Sequence, residues 1–178
     1  MIFAETPLHG AFVVDLERRE DQRGFFARTF CAREFAAHGL EPAVAQCNLS
    51  FNLKKGTLRG LHYQAPPMGE AKLVRCGRGA IYDVIVDLRP DSPTYRRHVA
   101  VELNEENRRA LYISKDIAHG FQTLTGEAEV WYQMSEFYAP GYERGLRYDD
   151  PALGIAWPLP VSEISERDAS WPLLDPSP

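Results

Sequence analysis

Apolar residues recur along the chain in short runs, at 11–16 (AFVVDL), 44–53, 57–64, 71–76, 79–88, 97–103, 109–114, 117–124 and 127–135, mostly bounded by Gly, Pro, Asn or Asp. Runs of this length and alternation predict β-strands, and their rhythm predicts an antiparallel sandwich or barrel. Two stretches break that rhythm. AREFAAH at 32–38 sets Phe35 among good helix formers and ends at Gly39, which predicts one short helix, and a second is expected to begin at Ser165. The Pro-rich tail from Trp157 to Pro178 predicts a wrapped, irregular finish. With no linker, repeat or low-complexity tract in between, one domain over 1–178 is expected.

The segment AQCNLSFNLKKG separates its two faces most cleanly. Gln46, Asn48, Ser50 and Asn52 fall on one side, and Cys47, Leu49, Phe51 and Leu53 on the other. The plain expectation is a solvated polar face over an apolar core. The alternative is a barrel whose lumen carries the polar groups for a ligand.

Composition narrows the class. The chain has 178 residues, 44% hydrophobic and 25% charged, enough to build a sizeable core without disulfides or structural metal. A net charge of −5 argues against a general nucleic-acid or anionic-membrane binder. Cys31, Cys47 and Cys76 are odd in number and widely spaced, which fits a reducing compartment. No apolar run approaches the roughly 20 residues needed to cross a bilayer, and the N-terminus lacks the basic start of a signal peptide, so the expected location is the cytoplasm.

Candidate chemistry concentrates in a few places. GTLRGLHYQAPP at 56–67 carries Arg59, His62, Tyr63 and Gln64 on one predicted strand. Strict alternation would send Arg59 and His62 to opposite faces, so if both serve one site, Gly60 marks a bulge. Lys72 sits amid Ala71, Leu73 and Val74. Taken alone it reads as a lysine whose amine snorkels to water; the functional reading places its cation where an oxyanion develops. His119, Tyr132 and Asp168 each have an ordinary structural reading too, the last as a carboxylate at a helix start. His62, Glu70 and His119 are of metal-ligating type, but position 64 is Gln where a second closely spaced histidine is wanted, so no metal is expected. No dinucleotide, Walker or serine-hydrolase motif is present.

Taken in order, DQRGFFARTF (21–30), QCNLSFNLKKGTLRGLHYQAPP (46–67), AKLVRCGRGAIYDVIVDLR (71–89), SPTY (92–95), LYISKDIAHGFQTL (111–124), EVWYQMSEFYAP (129–140), RYDDPALGIAWP (147–158) and ISERDASWP (164–172) resemble the dTDP-4-dehydrorhamnose 3,5-epimerase family over nearly the whole chain. The resemblance implies an all-β, cupin-type jelly-roll barrel with a few short helices. It also implies a homodimer with exchanged strands, and a cofactor-independent enzyme acting on a nucleoside-diphosphate 4-keto-6-deoxy sugar. On this chain it makes His62 the base, Asp168 the carboxylate that orients it, Lys72 the cation beside the keto oxygen and Tyr132 the proton donor on the opposite face. It assigns Gln46, Asn48 and Arg59 to the sugar and diphosphate site, His119 to a further active-site position, Tyr138 to a position near the base, and Arg23 and Phe26 to nucleotide contacts supplied by the partner subunit.

One position departs from the pattern. Two residues after RGFF the family typically carries a glutamate near the nucleotide, whereas this chain has Arg28, which exchanges an acceptor for a donor and puts thymidine preference in question. Three rivals follow: an epimerase of one carbon or another nucleotide, a non-catalytic sugar-nucleotide-binding cupin, and a metal-dependent cupin oxygenase.

Overall fold

A computed structural model describes residues 1–174; the last four positions of the predicted tail lie outside the described residues. In chain order the elements are β1 (Ile2–Glu5), β2 (Ala11–Asp15), β3 (Arg19–Asp21), β4 (Gly24–Phe26), α1 (Ala32–Ala37), β5 (Gln46–Asn52), β6 (Leu58–Gln64) and β7 (Lys72–Arg78). They continue with β8 (Ala80–Asp87), β9 (His98–Asn104), β10 (Ala110–Ile113), β11 (Ile117–Thr123), β12 (Ala128–Met134), β13 (Glu143–Gly145) and α2 (Glu166–Ala169). Every predicted run became a strand, and both predicted helices formed. Gly39 follows α1 at φ +70°, a left-handed position that glycine adopts without steric cost.

The strands form a six-stranded sheet in the order β1-β2-β10-β7-β12-β5, a five-stranded sheet in the order β13-β6-β11-β8-β9, and the separate hairpin β3-β4. All named pairs are antiparallel. The two large sheets face each other as a jelly roll, but among the described residues no strand pairs across from one to the other, so the expected barrel is not closed.

Between the sheets lies the main core, including Val74, Cys76, Ile81, Ile85, Leu103, Leu111, Ile113, Phe121 and Val130. The outer face of the five-stranded sheet is covered in turn, with Leu61, Val84, Val86 and Ala118 packed against Leu146, Leu153 and the partly buried Trp157. On the outer face of the six-stranded sheet, Phe35 of α1 packs with Leu73, Ala110 and Tyr112. The neighbouring part of that face, on β5 and β12, is bare: Leu49 is 48% exposed, Phe51 43% and Trp131 46%.

The solvated polar face expected for β5 is therefore inverted. Ser50 and Asn52 are buried between the sheets, while Cys47, Leu49 and Phe51 face outward. Among the described residues, no helix is long and apolar enough to cross a membrane.

Candidate active site

At one end of the space between the sheets opens a cleft of ≈ 480 Å³, lined by side chains from both. From the five-stranded sheet come Arg59, His62 and His119, and from the six-stranded sheet Gln46, Asn48, Lys72 and Tyr132. Asp168 on α2 and Tyr138 on the loop after β12 complete the wall.

The bulge inferred at Gly60 is present. Across β6 and β11, His62 pairs with His119 and Arg59 with Phe121, so two residues, Gly60 and Leu61, stand opposite Gly120 alone. The extra residue resets the alternation, and Arg59 and His62 reach the same cleft. Gly60 is required there: its φ is +123°, and a Cβ would lie 2.5 Å from the Gly120 Cα. Its N–H also donates to Asp168 Oδ2 at 3.1 Å.

The other oxygen of Asp168 lies 2.7 Å from His62 Nε2. Burial would raise the Asp168 pKa, but its hydrogen bond and charge interaction with His62, together with the Gly60 N–H, outweigh burial and hold it below the ordinary carboxylate value. The carboxylate therefore fixes Nε2 as the protonated nitrogen of His62 and leaves Nδ1 as the nitrogen able to accept a proton. Ser165 caps α2 by accepting from the Asp168 N–H at 3.1 Å, so the Asp168 side chain is free for this contact instead of capping the helix start. Trp171 packs edge-on against the imidazole at 6.1 Å.

Lys72 does not snorkel. It is 7% exposed, with Nζ 3.0 Å from Glu70 Oε1 and donating to the His62 carbonyl oxygen at 3.0 Å. Burial of an ammonium needs such compensation. Glu70, a metal-donor type by sequence, is engaged by Lys72 and by the Gln64 backbone N–H at 3.1 Å. Among the described residues no group of three His, Cys, Asp or Glu side chains gathers in metal-binding geometry.

Tyr132 stands opposite Asn48 and Val74 in register. Burial pushes its phenol pKa up, against smaller opposing effects of a hydrogen bond with Ser50 and the charge of Arg59, so the group carries its proton at neutral pH. The buried polar face of β5 orders the cleft: Asn52 Oδ1 accepts from Arg59 Nε at 2.7 Å, while the Asn52 amide donates to the Ala128 carbonyl. Gln46 Oε1 accepts from the Tyr138 N–H at 2.6 Å, and the Tyr138 hydroxyl donates to Glu143 at 2.9 Å.

The cleft of this chain does not include Arg23, Phe26 or Arg28. Arg23 is exposed and paired with Asp21, Phe26 is exposed on β4, and Arg28 lies 3.1 Å from Glu34. Gln64, a candidate on the strand at 56–67, acts through the loop it pins, accepting from the Ala139 N–H and donating to the Phe137 carbonyl. Two residues near the site were not identified from the sequence. Glu143 sits on a three-residue strand that no periodicity reveals. Asp83 did leave a signal, a lone carboxylate inside the β-branched run of β8, and it proves to contact His119.

Comparison with known proteins agrees with this geometry. The profile described as dTDP-4-dehydrorhamnose 3,5-epimerase matches residues 5–176. A dTDP-4-dehydrorhamnose 3,5-epimerase of Methanothermobacter thermautotrophicus is 44% identical over 180 residues, covering 99% of this chain and 96% of that protein. The crystal structure of the Bacillus anthracis enzyme of that name, with TDP and PPi bound, superimposes with a TM-score of 0.93 at 36% identity, covering 97% of this chain and 99% of the other. That of the dTDP-6-deoxy-D-glucose-3,5-epimerase of Legionella pneumophila, in complex with dTDP-4-keto-L-rhamnose, gives 0.89 at 36% identity, covering 97% and 92%. The chain is a member of the dTDP-4-dehydrorhamnose 3,5-epimerase family.

Proposed function

We propose that this protein epimerises a dTDP-linked 4-keto-6-deoxy sugar at carbons 3 and 5, converting dTDP-4-dehydro-6-deoxy-glucose to dTDP-4-dehydro-rhamnose, with residues 1–178 as one catalytic unit. The observation that carries this reading is that His62 and Tyr132 belong to opposing sheets yet line one cleft, with the Lys72 ammonium in the same wall. The Bacillus anthracis and Legionella pneumophila relatives, crystallised with TDP and with a dTDP-4-keto sugar, supply the substrate class.

In this mechanism His62 Nδ1 takes the proton from the carbon beside the ketone. The electron pair moves onto the carbon 4 oxygen, where Lys72 Nζ donates to the developing negative charge. Tyr132 then delivers its proton to the same carbon from the opposite face, which inverts it. His62 releases its proton and Tyr132 regains one before the second carbon reacts. The steps are proton transfers alone, so the chemistry demands neither redox cofactor nor metal. Asp168 keeps the His62 ring in register, and Arg59 offers donors for the diphosphate.

The active form in this reading is a homodimer. Leu49 and Trp131 are register partners on the bare outer face of the six-stranded sheet, and with Phe51 they form an apolar patch suited to a second copy. The exposed β3-β4 hairpin would carry Arg23 and Phe26 to the partner's cleft, followed in sequence by Arg28.

Proton NMR of the dTDP-4-keto sugar incubated with the protein in deuterated water tests the assignment. Deuterium is expected at carbons 3 and 5 with inversion at both. Label at carbon 3 alone would reassign the protein as a one-site epimerase, and no label would leave a binding protein.

A further inference from the structure

A second histidine–carboxylate pair lies beside the first. His119 on β11 is the register partner of His62, so the two imidazoles are cross-strand neighbours at the cleft. His119 Nε2 is 3.0 Å from Oδ2 of Asp83. Asp83 comes from β8, where it faces Phe121 in register and so lies diagonal to His119.

Asp83 is costly where it stands. It is fully buried among the β-branched residues of β8, and its Oδ1 has no hydrogen-bond partner among the described residues. Burial raises its pKa, opposed by His119 and by the charge of Lys72. A carboxylate needed only for packing there would be better replaced by valine. Among the described residues its side chain's one hydrogen-bond partner is a ring that lines the cleft, so the cost is tied to what that ring presents.

We propose that Asp83 is a positioning residue for the sugar subsite: it accepts from His119 Nε2–H, fixes that tautomer, and so leaves Nδ1 of His119 as a bare acceptor for a sugar hydroxyl next to the carbon that His62 attacks. The identity of the ligand rests on the epimerase reading, whereas the tautomer does not. Reversing the tautomer would turn the acceptor into a donor and mismatch a hydroxyl that is itself donating, in the way that loss of a buried partner penalises a polar ligand.

The test uses ¹⁵N-histidine NMR of the whole protein at mildly alkaline pH, with the His119 signals identified from His119→Gln. In the wild type, Nε2 is expected to be protonated and Nδ1 bare. Asp83→Asn keeps the size of the side chain but can donate through its amide. It is expected to shift His119 toward the opposite tautomer and to lower kcat/KM roughly 10- to 100-fold, as loss of an orienting partner typically does, with the Kd for thymidine diphosphate unchanged within about twofold. A bare Nε2 in the wild-type spectrum overturns the proposal, and that measurement requires no variant to fold. It is equally overturned if Asp83→Asn loses thermal stability while kcat/KM per folded molecule stays at the wild-type value. Lack of turnover by the wild type would refute the epimerase reading, while the tautomer measurement would still decide the role of Asp83.

Discussion

Replacing Tyr132 by Phe removes one oxygen from the centre of the proposed mechanism and leaves the ring packing in place. The hydroxyl interacts with Ser50, and the net contribution of one such hydrogen bond is about 1 kcal/mol, small against the ~5–15 kcal/mol that typically holds a domain folded. The variant should therefore fold, with Tm lowered by only a few degrees. Catalysis should respond on another scale, because a positioned general acid typically contributes ~10²–10⁴-fold, or about 3–5 kcal/mol of barrier. The loss should also be selective. His62, Asp168 and Lys72 are untouched, so proton removal and enolate stabilisation continue, and a deuteron can return only from the His62 face. In deuterated water the variant should exchange the proton at carbon 3 with retention of configuration, while inversion falls by two orders of magnitude or more. NMR separates the two outcomes in one sample. Inversion at the wild-type rate would refute the assignment of Tyr132 as donor. Loss of exchange in parallel with inversion would refute it as well, by placing the tyrosine before proton removal.

Three further outcomes follow from the fold. Gly60→Ala forces a Cβ to 2.5 Å from the Gly120 backbone at φ +123°, so it should cost roughly 2–3 kcal/mol or more and disturb both Arg59 and His62; urea denaturation and the exchange assay report the two effects. Asp87, fully buried, is lowered from its ordinary 3.8 to about 2, because hydrogen bonds from Arg89, Ser92 and Thr94 outweigh the effect of burial. Its folded value lies below its unfolded one, so its contribution of about 2 kcal/mol is present above the unfolded value and fades as pH falls from 3.8 toward 2; the stability gap between wild type and Asp87→Asn in urea titrations should close over that range. Leu49→Arg places a charge on the bare outer face that the proposed homodimer would cover, so sedimentation of the variant should show a monomer, with activity falling as the proposed dimer is lost; an unchanged dimer would remove that face from the interface.

Much of the architecture was legible because period two is a local property. The alternation in QCNLSFN and the β-branched run AIYDVIVD needed no knowledge of their neighbours to be read as strands. The three residues of β13 and the four of β1 show no period and lie outside every predicted run. Motif resemblance supplied His62, Lys72, Tyr132 and Asp168, and the conflict between the spacing of Arg59 and His62 and a single site was enough to locate the bulge at Gly60.

The order of polar and apolar residues along the chain determined that Gln46, Asn48, Ser50 and Asn52 share one face of a strand. It did not determine which face points inward. That was decided by assembly: the six-stranded sheet turns this row toward a partner sheet bearing Arg59, so Asn52 is buried as the acceptor of a guanidinium and Leu49 is left outside. Lys72 and Asp83 follow the same logic. Local sequence sets the side of the strand a charge occupies, but whether that side is dry depends on what packs over it, and whether the charge is tolerable depends on a partner such as Glu70 or His119 from elsewhere in the fold. Alternation is a property of one strand, whereas burial and pairing belong to two surfaces brought together, and only the tertiary structure brings them together.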